Sequence, residues 1–311
     1  MTDLRSSGRA NIGDPIGQAA QFADLASGRM CWEQRGSGPD LLVVMGLAGQ
    51  MTDWPSGLID QLAAHFTVTL FDNRDSGLSF QTTAAPPPRW AFVKAAVTRK
   101  PLDFAYTITD MAADAAGLLD HLGIEKTHVM GMSMGGMISQ SLAISGPHRV
   151  LSLTSIMSHP GDMRTGRANL KVLATLARMD VPSRDQAAQY TVDQFTLFAG
   201  SSWDKETHRV RSQASVDRAF NPSGTDRQLA AIAASPDRTP ALKHLTAPTL
   251  VIHGLQDTLV QPSGGMATAR AVPGSRLLMF PDMGHDLPAT RWDEITDAVV
   301  DLADVAAPAS A

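Results

Sequence analysis

The stretch that decides the fold reads Val129-Met130-Gly131-Met132-Ser133-Met134-Gly135-Gly136. An apolar run precedes Ser133 and a helical pattern follows it, so the chain turns there from a strand into a helix. This turn is so tight that side chains two residues before and two after the serine would collide, and glycine stands at both places, Gly131 and Gly135. The pattern predicts a strained serine whose exposed hydroxyl lies beside the N-terminal amides of a helix.

Short apolar runs and helical patterns alternate on both sides of this turn. Their brevity and β-branched content are typical of strands that are buried on both faces of a parallel sheet. The alternation predicts an α/β fold with a mostly parallel, eight-stranded sheet flanked by helices. The expected strands are 41–45, 68–71, 128–131, 150–156, 249–253 and 276–280, preceded by an antiparallel hairpin of 22–25 and 30–35.

Residues 161–240 break the alternation with helical patterns alone. An 80-residue block between two strands is too long for a simple crossover, so we expect a helical cap inserted after the sixth strand. The remaining chain then divides into an N-terminal arm (1–21), a core (22–160 and 241–303) and a C-terminal tail (304–311). The apolar residues that mark three cap helices are Leu170, Leu173, Leu176 and Ala177; Tyr190, Phe195 and Phe198; and Leu229 and Ile232.

The composition limits the classes of function. The 311 residues carry a net charge of −5 without a basic cluster, which argues against a nucleic-acid partner because phosphate binding requires concentrated Lys and Arg. Cys31 is the single cysteine, which excludes an internal disulfide and a multi-cysteine metal site. We expect no metal, because no group of His, Asp or Glu residues has the spacing of metal ligands. We expect no membrane span, because no apolar run is long enough. We expect a cytoplasmic location, because the sequence shows no signal peptide. The oligomeric state stays open.

A serine nucleophile needs a base and an orienting carboxylate. His285 directly follows the last expected strand, at the sheet edge where open α/β sheets place their sites, so it is the expected base, with His253 as the alternative. Asp257 follows the preceding strand and is the expected acid, with Asp162 as the weaker candidate. The order Ser133, Asp257, His285 matches the nucleophile, acid, base order of α/β-hydrolases.

Two backbone amides complete the expected site as an oxyanion hole. One is the N–H of Met134, directly after the nucleophile, and the other is the N–H of Leu47, in the loop after the 41–45 strand. Asp282 and Asp286 flank His285, and we expect them to be solvated or capping groups.

The chain resembles the α/β-hydrolase superfamily over residues 22–303. The segments that carry the resemblance are Leu42-Val43-Val44-Met45-Gly46, the stretch from Phe71 to Ser79, the turn around Ser133, and Gly284-His285. Within it, the chain is similar to aclacinomycin-methylesterase-like bacterial esterases, which share V-M-G, D-x-R-D-x-G-x-S and M-G-H-x-x-P. The resemblance implies an ester or related acyl substrate, no cofactor and a helical cap. Two positions depart from the commoner pattern: Met45-Gly46 replaces His-Gly, and Arg74-Asp75 replaces Arg-Gly.

Methionines cluster beside the strand ends that should converge on Ser133, and flexible thioethers suit an adaptable apolar pocket, although simple core filling explains them equally well. The expected pocket residues are Met45, Met132, Met157, Trp54, Phe195 and Phe198. We expect water and a small-molecule ester as co-substrates in a two-step acyl transfer. Lactonase, carbon–carbon bond hydrolase and cofactor-free haloperoxidase activities use the same triad and stay open, as does a non-catalytic ligand-binding protein.

Overall fold

Eight strands form one sheet in the computed structural model, which describes residues 9–98, 100–176, 178–179 and 182–306. The strand order is β1-β2-β4-β3-β5-β6-β7-β8; β1 and β2 form an antiparallel hairpin, β2 pairs antiparallel with β4, and all other pairs are parallel. The expected sheet is therefore confirmed. The strands are β1 (Gln21–Leu25), β2 (Gly28–Arg35), β3 (Asp40–Val44), β4 (Thr67–Phe71), β5 (Thr127–Met132), β6 (Val150–Ile156), β7 (Thr249–Gly254) and β8 (Arg276–Phe280).

Helices cover both faces of this sheet and divide its apolar core in two. One cluster of buried residues lies with α3 and α4 and the other with α1 and α11. In the described part of the chain no helix combines the length and apolar character that crossing a bilayer requires. The helices are α1 (Ser56–Ala63), α2 (Arg89–Thr98), α3 (Ile108–His121), α4 (Met134–Ser145), α5 (Leu170–Leu176), α6 (Arg184–Phe195), α7 (Lys205–Arg218), α8 (Pro222–Ala234), α9 (Thr239–Leu242), α10 (Ser263–Ala271) and α11 (Trp292–Ala306).

Residues 9–20 and 304–306, which fall within the expected arm and tail, have a defined place in the fold. The backbone N–H of Ala10 donates to the carbonyl of Gln34, and the N–H groups of Gly17 and Ala19 donate to Glu33 Oε2, so residues 9–20 are attached to β2. Helix α11 continues to Ala306, into the expected tail. The remainder of the expected arm (1–8) and tail (307–311) lies outside the described residues.

In the described residues between β6 and β7 the chain forms five helices, α5–α9, and two of them bury different faces from those expected. In α5, Leu170 and Leu173 are 82% and 48% exposed while Val172 is buried; Ala177 lies outside the described residues. In α8, Leu229 is exposed, while Arg227 and Gln228 are buried. Helix α8 buries these polar residues because both side chains donate hydrogen bonds to the loop that follows β4.

Candidate active site

Ser133 lies at the turn from β5 into α4 with φ 55° and ψ −120°, a conformation that L-residues rarely adopt. A Cβ atom at Gly131 would overlap the carbonyl oxygen of Gly135 and the hydroxyl of Ser139. A Cβ atom at Gly135 would overlap the carbonyl oxygen of Val44, at the end of β3. Both glycines are therefore required sterically, although Gly135 is constrained by the neighbouring strand and not by residue 131.

The loops after β7 and β8 bring Asp257 and His285 to Ser133. His285 Nε2 lies 3.0 Å from Ser133 Oγ, and His285 Nδ1 lies 2.7 Å from Asp257 Oδ2. Asp257 and His285 are only 2% and 4% exposed. A carboxylate on one ring nitrogen and a hydroxyl on the other is the arrangement that lets an imidazole take a proton from serine.

Asp257 is held by backbone and side-chain donors together. Its Oδ1 accepts the N–H groups of Leu259 and Val260 at 2.9 and 2.8 Å. Burial favours the neutral carboxyl and so acts to raise the pKa of Asp257. The charge of His285 and hydrogen bonds from His253 and His285 outweigh this effect, and the pKa lies below its ordinary value. The group therefore remains a carboxylate at neutral pH.

The two alternative triad members have other partners. His253 Nε2 lies 2.7 Å from the carbonyl oxygen of Val260 and 3.5 Å from Asp257 Oδ2, so this fully buried ring packs beneath the acid. Asp162 Oδ1 accepts the N–H groups of Arg164 and Thr165 within its own turn.

The expected oxyanion donors lie on two segments that meet at Ser133. Met134 is the first residue of α4, where N–H groups have no partner within the helix, and Leu47 lines the cavity in front of Ser133. A Cβ atom at Gly46 would lie 3.2 Å from Ser133 Cβ, which shows how closely this loop approaches the serine. The side chain of Gln228 accepts the N–H of Ala48 at 2.8 Å and so ties the loop to α8.

A cavity of about 400 Å³ opens over Ser133 and His285. Of the expected pocket residues, Met45, Met132, Phe195 and Phe198 line it, and the Phe198 ring meets the His285 ring edge-on at 5.8 Å between centroids. Trp54 and Met157 are not among the described residues that line it, because both side chains are buried in the core cluster beside α1 and α11. Strand ends alone do not show which side chains point toward the cavity.

Asp286 differs from its expected role as a solvated or capping side chain. It is buried, and its Oδ1 accepts the N–H groups of Gly200 and Gly284 at 2.7 and 2.9 Å. Burial raises the pKa of Asp286, and the two hydrogen bonds oppose this rise without cancelling it. The carboxyl thus links the segment after α6 to the loop that carries His285, while Asp282 bonds to Ser202 and Arg291.

The sequence did not place His208 and Arg211 at the cavity, because no motif marks them. Trp203, His208 and Arg211 line the cavity from α7 and the turn before it. Across the described ranges, no three His, Cys, Asp or Glu side chains are placed to hold a metal ion, and the expectation of a reaction without metal or cofactor stays a prediction.

Comparisons with known proteins agree with this architecture. The rhodomycin D methylesterase DauP of Streptomyces sp. (strain C5) is 26% identical over 284 residues, covering 83% of this chain and 89% of that protein. An esterase from Thermogutta terrifontis superposes with a TM-score of 0.69 at 22% identity, over 92% of this chain and 98% of that one. The enol-lactonase from Burkholderia xenovorans LB400 superposes with a TM-score of 0.67 at 18% identity, over 91% of this chain and 99% of that one. The family model of the alpha/beta hydrolase fold matches residues 39–290, and the chain belongs to this family.

Proposed function

We propose that the protein is a serine hydrolase that cleaves a carboxylic ester of a small, mainly apolar molecule. The observation that carries the proposal is the chain of contacts from Ser133 Oγ to His285 Nε2 (3.0 Å) and from His285 Nδ1 to Asp257 Oδ2 (2.7 Å). Apolar side chains around the serine and the name of the methylesterase relative support an ester as the substrate. The proposed class is that of carboxylic ester hydrolases.

The reaction proceeds in two acyl transfers. His285 Nε2 takes the hydroxyl proton as Ser133 Oγ attacks the ester carbonyl, and the N–H groups of Met134 and Leu47 stabilise the oxyanion. The alcohol leaves with the proton from His285, and an acyl group remains on Ser133. A water molecule, deprotonated by His285, then attacks the acyl-enzyme and releases the acid.

The test is to replace the nucleophile. Ser133→Ala should lower kcat for p-nitrophenyl esters by about 10⁴- to 10⁶-fold, because the remaining oxyanion hole and binding contacts alone accelerate the reaction little. Ser145→Ala is the matched control, since Ser145 is exposed at the far end of α4, and it should keep wild-type activity.

Labelling with a serine-reactive phosphonate adds an independent readout. The label should be found on Ser133 by peptide mass spectrometry and should be missing from the Ser133→Ala variant. Esterase activity retained in that variant would refute the proposal. A panel of p-nitrophenyl esters, lactones and bulky methyl esters separates ester cleavage from the other reactions that share this triad.

A further inference from the structure

Three residues that carry hydrogen-bond donors line the cavity on α7 and in the turn before it. They are Trp203 with its indole N–H, His208 with its imidazole and Arg211 with its guanidinium. The same cavity is lined by Ser133 and His285, so a ligand that occupies it can contact both groups. The question is which chemistry these three donors would recognise.

The hydrogen position on His208 follows from its contact with Arg211. Arg211 Nη2 lies 3.1 Å from His208 Nδ1, and because a guanidinium only donates, Nδ1 accepts. Burial, together with the charge of Arg211, lowers the pKa of His208 to about 4, so the ring is neutral at pH 7. Its single N–H is therefore at Nε2.

Two of the donors have no acceptor. His208 Nε2 and Trp203 Nε1 are both buried without a hydrogen-bond partner within the described chain. Phe195, which carries no hydrogen-bond acceptor, lies 4.0 Å from the His208 ring and 6.4 Å from the Trp203 ring, between centroids, and the Trp203 and His208 rings meet edge-on at 5.5 Å. A buried donor without an acceptor costs free energy that a ligand oxygen can recover.

Arg211 is a charged group without an ion pair. Among the residues that the structure describes, none forms a salt bridge with it, and its hydrogen bond goes to neutral His208. Two acidic residues, Asp53 and Asp204, line the same cavity, and the charge of Asp53 opposes the lowering of the Arg211 pKa by burial. The carboxylates of both residues accept hydrogen bonds from other groups. Asp53 accepts from Gln50 N–H at 2.7 Å and Ser215 Oγ at 2.6 Å, and Asp204 caps the N-terminus of α7.

We propose that Trp203, His208 and Arg211 form a subsite that binds a carboxylate at the remote end of the substrate. The two oxygens of a carboxylate match the fork of donors on a guanidinium and leave lone pairs for the indole and imidazole N–H groups. The inference rests on the proposed function and names its substrate class. The substrates are half-esters of dicarboxylic acids whose apolar chain lies between Ser133 and Arg211.

The test compares acidic substrates with neutral ones of the same shape. Monomethyl esters of linear dicarboxylic acids, from succinate to sebacate, are paired with the ω-amide methyl esters of equal length. For at least one length, the wild-type kcat/KM should favour the acid at least about 10-fold, since charged hydrogen bonds are the stronger ones. Arg211→Gln should lower kcat/KM for that acid by about 10- to 100-fold, mainly through KM, and lower kcat/KM for the amide by a clearly smaller factor, because the neutral amide forms only the weaker, uncharged hydrogen bond.

Two further variants serve as controls. Arg209→Gln removes an exposed guanidinium from the same helix, where it pairs with Glu206, and should leave both substrates unchanged. Arg211→Lys keeps the charge and should restore part of the preference for the acid. An equal loss on acid and amide, or a wild type that never favours the acid, would overturn the carboxylate subsite.

A binding experiment separates this inference from the proposed function. Calorimetric titration of Ser133→Ala with the linear dicarboxylates should show binding that the additional Arg211→Gln replacement weakens about 10-fold or more. If p-nitrophenyl esters are not hydrolysed, the proposed function fails while this titration still tests the subsite. If the esters are hydrolysed but no dicarboxylate binds, the subsite alone is wrong.

Discussion

At the scale of single residues, the two oxygens of Asp257 have different tasks. Oδ1 accepts two backbone N–H groups, which fix the carboxylate in its own turn, and Oδ2 accepts from His285 Nδ1. With its hydrogen held at Nδ1, the neutral imidazole presents the lone pair of Nε2 to Ser133 Oγ. The carboxylate thus acts on the serine through the tautomer of the histidine.

This arrangement predicts the effect of Asp257→Asn. An amide can donate to Nδ1 and so favour the wrong tautomer, and kcat should fall by about 10⁴-fold while the fold is kept. Asp162→Asn, at the alternative acid position, should leave kcat unchanged because that carboxylate bonds within its own turn. Steady-state kinetics with a p-nitrophenyl ester measures both, and a large loss in Asp162→Asn with none in Asp257→Asn would reverse the assignment.

The meeting of Ser133, Asp257 and His285 could be predicted because each of them follows a strand that the sequence shows clearly. The contact of Asp286 with Gly200 could not be predicted, because the two residues stand 86 positions apart and nothing in the local sequence indicates it. Met157 directly follows β6 and Trp54 lies between β3 and α1, yet both pack into the core. Position along a strand limits where a side chain can lie, whereas the face on which it points depends on the packing of the whole chain.

At the scale of elements, the meeting of α4 and β3 fixes the serine turn. We predict that Gly135→Ala destabilises the protein by several kcal/mol and abolishes activity, because the added methyl group would overlap the backbone of Val44, which cannot move aside. Gly117→Ala in α3 is the control: its methyl group would meet only Leu25 Cδ1 at 3.4 Å, and it should stabilise by about 0.5–1 kcal/mol. Thermal and urea unfolding measure both. Equal effects would contradict the steric argument.

The docking of α8 shows why the departure at Asp75 is tolerated. Asp75 has φ 64°, a region that aspartate enters more easily than most residues, and it stands where the commoner pattern has glycine. Its carboxylate accepts from Arg227, Thr82 and Tyr106. A buried ion pair therefore joins the loop after β4 to α8. A pattern of apolar residues cannot predict the buried face of a helix that packs through charged and amide side chains.

At the scale of the whole molecule, the mostly parallel sheet was predictable because both of its faces are covered by helices. Strands β3–β7 are almost wholly buried and therefore read as continuous apolar runs, and their lengths agree with the structure to within about one residue at each end. The helices between β6 and β7 pack on one another and on loops, so fewer of their positions are fixed by a single core. Their buried faces were the part that the sequence pattern predicted least well.

Burial also couples the stability of the whole molecule to pH. Burial lowers the pKa of His159 and of His208 to about 4, from an ordinary value of 6.5, so the folded chain keeps both rings neutral over a range where the unfolded chain protonates them. The unfolded state then binds more protons between about pH 6.5 and 4, and the free energy of unfolding must fall as the pH falls through this window. Between pH 7 and 5, each histidine should lower it by about 2 kcal/mol.

Urea unfolding at these two pH values tests the coupling. His159→Gln and His208→Gln should each lose their share of the pH dependence, because glutamine does not titrate. His148→Gln, at an exposed turn, should keep the wild-type difference between the two pH values. Equal pH dependence in all four proteins would mean that neither His159 nor His208 contributes. A loss confined to His208→Gln would instead place the whole effect in the cavity, because His208 lines it and His159 does not line it among the described residues.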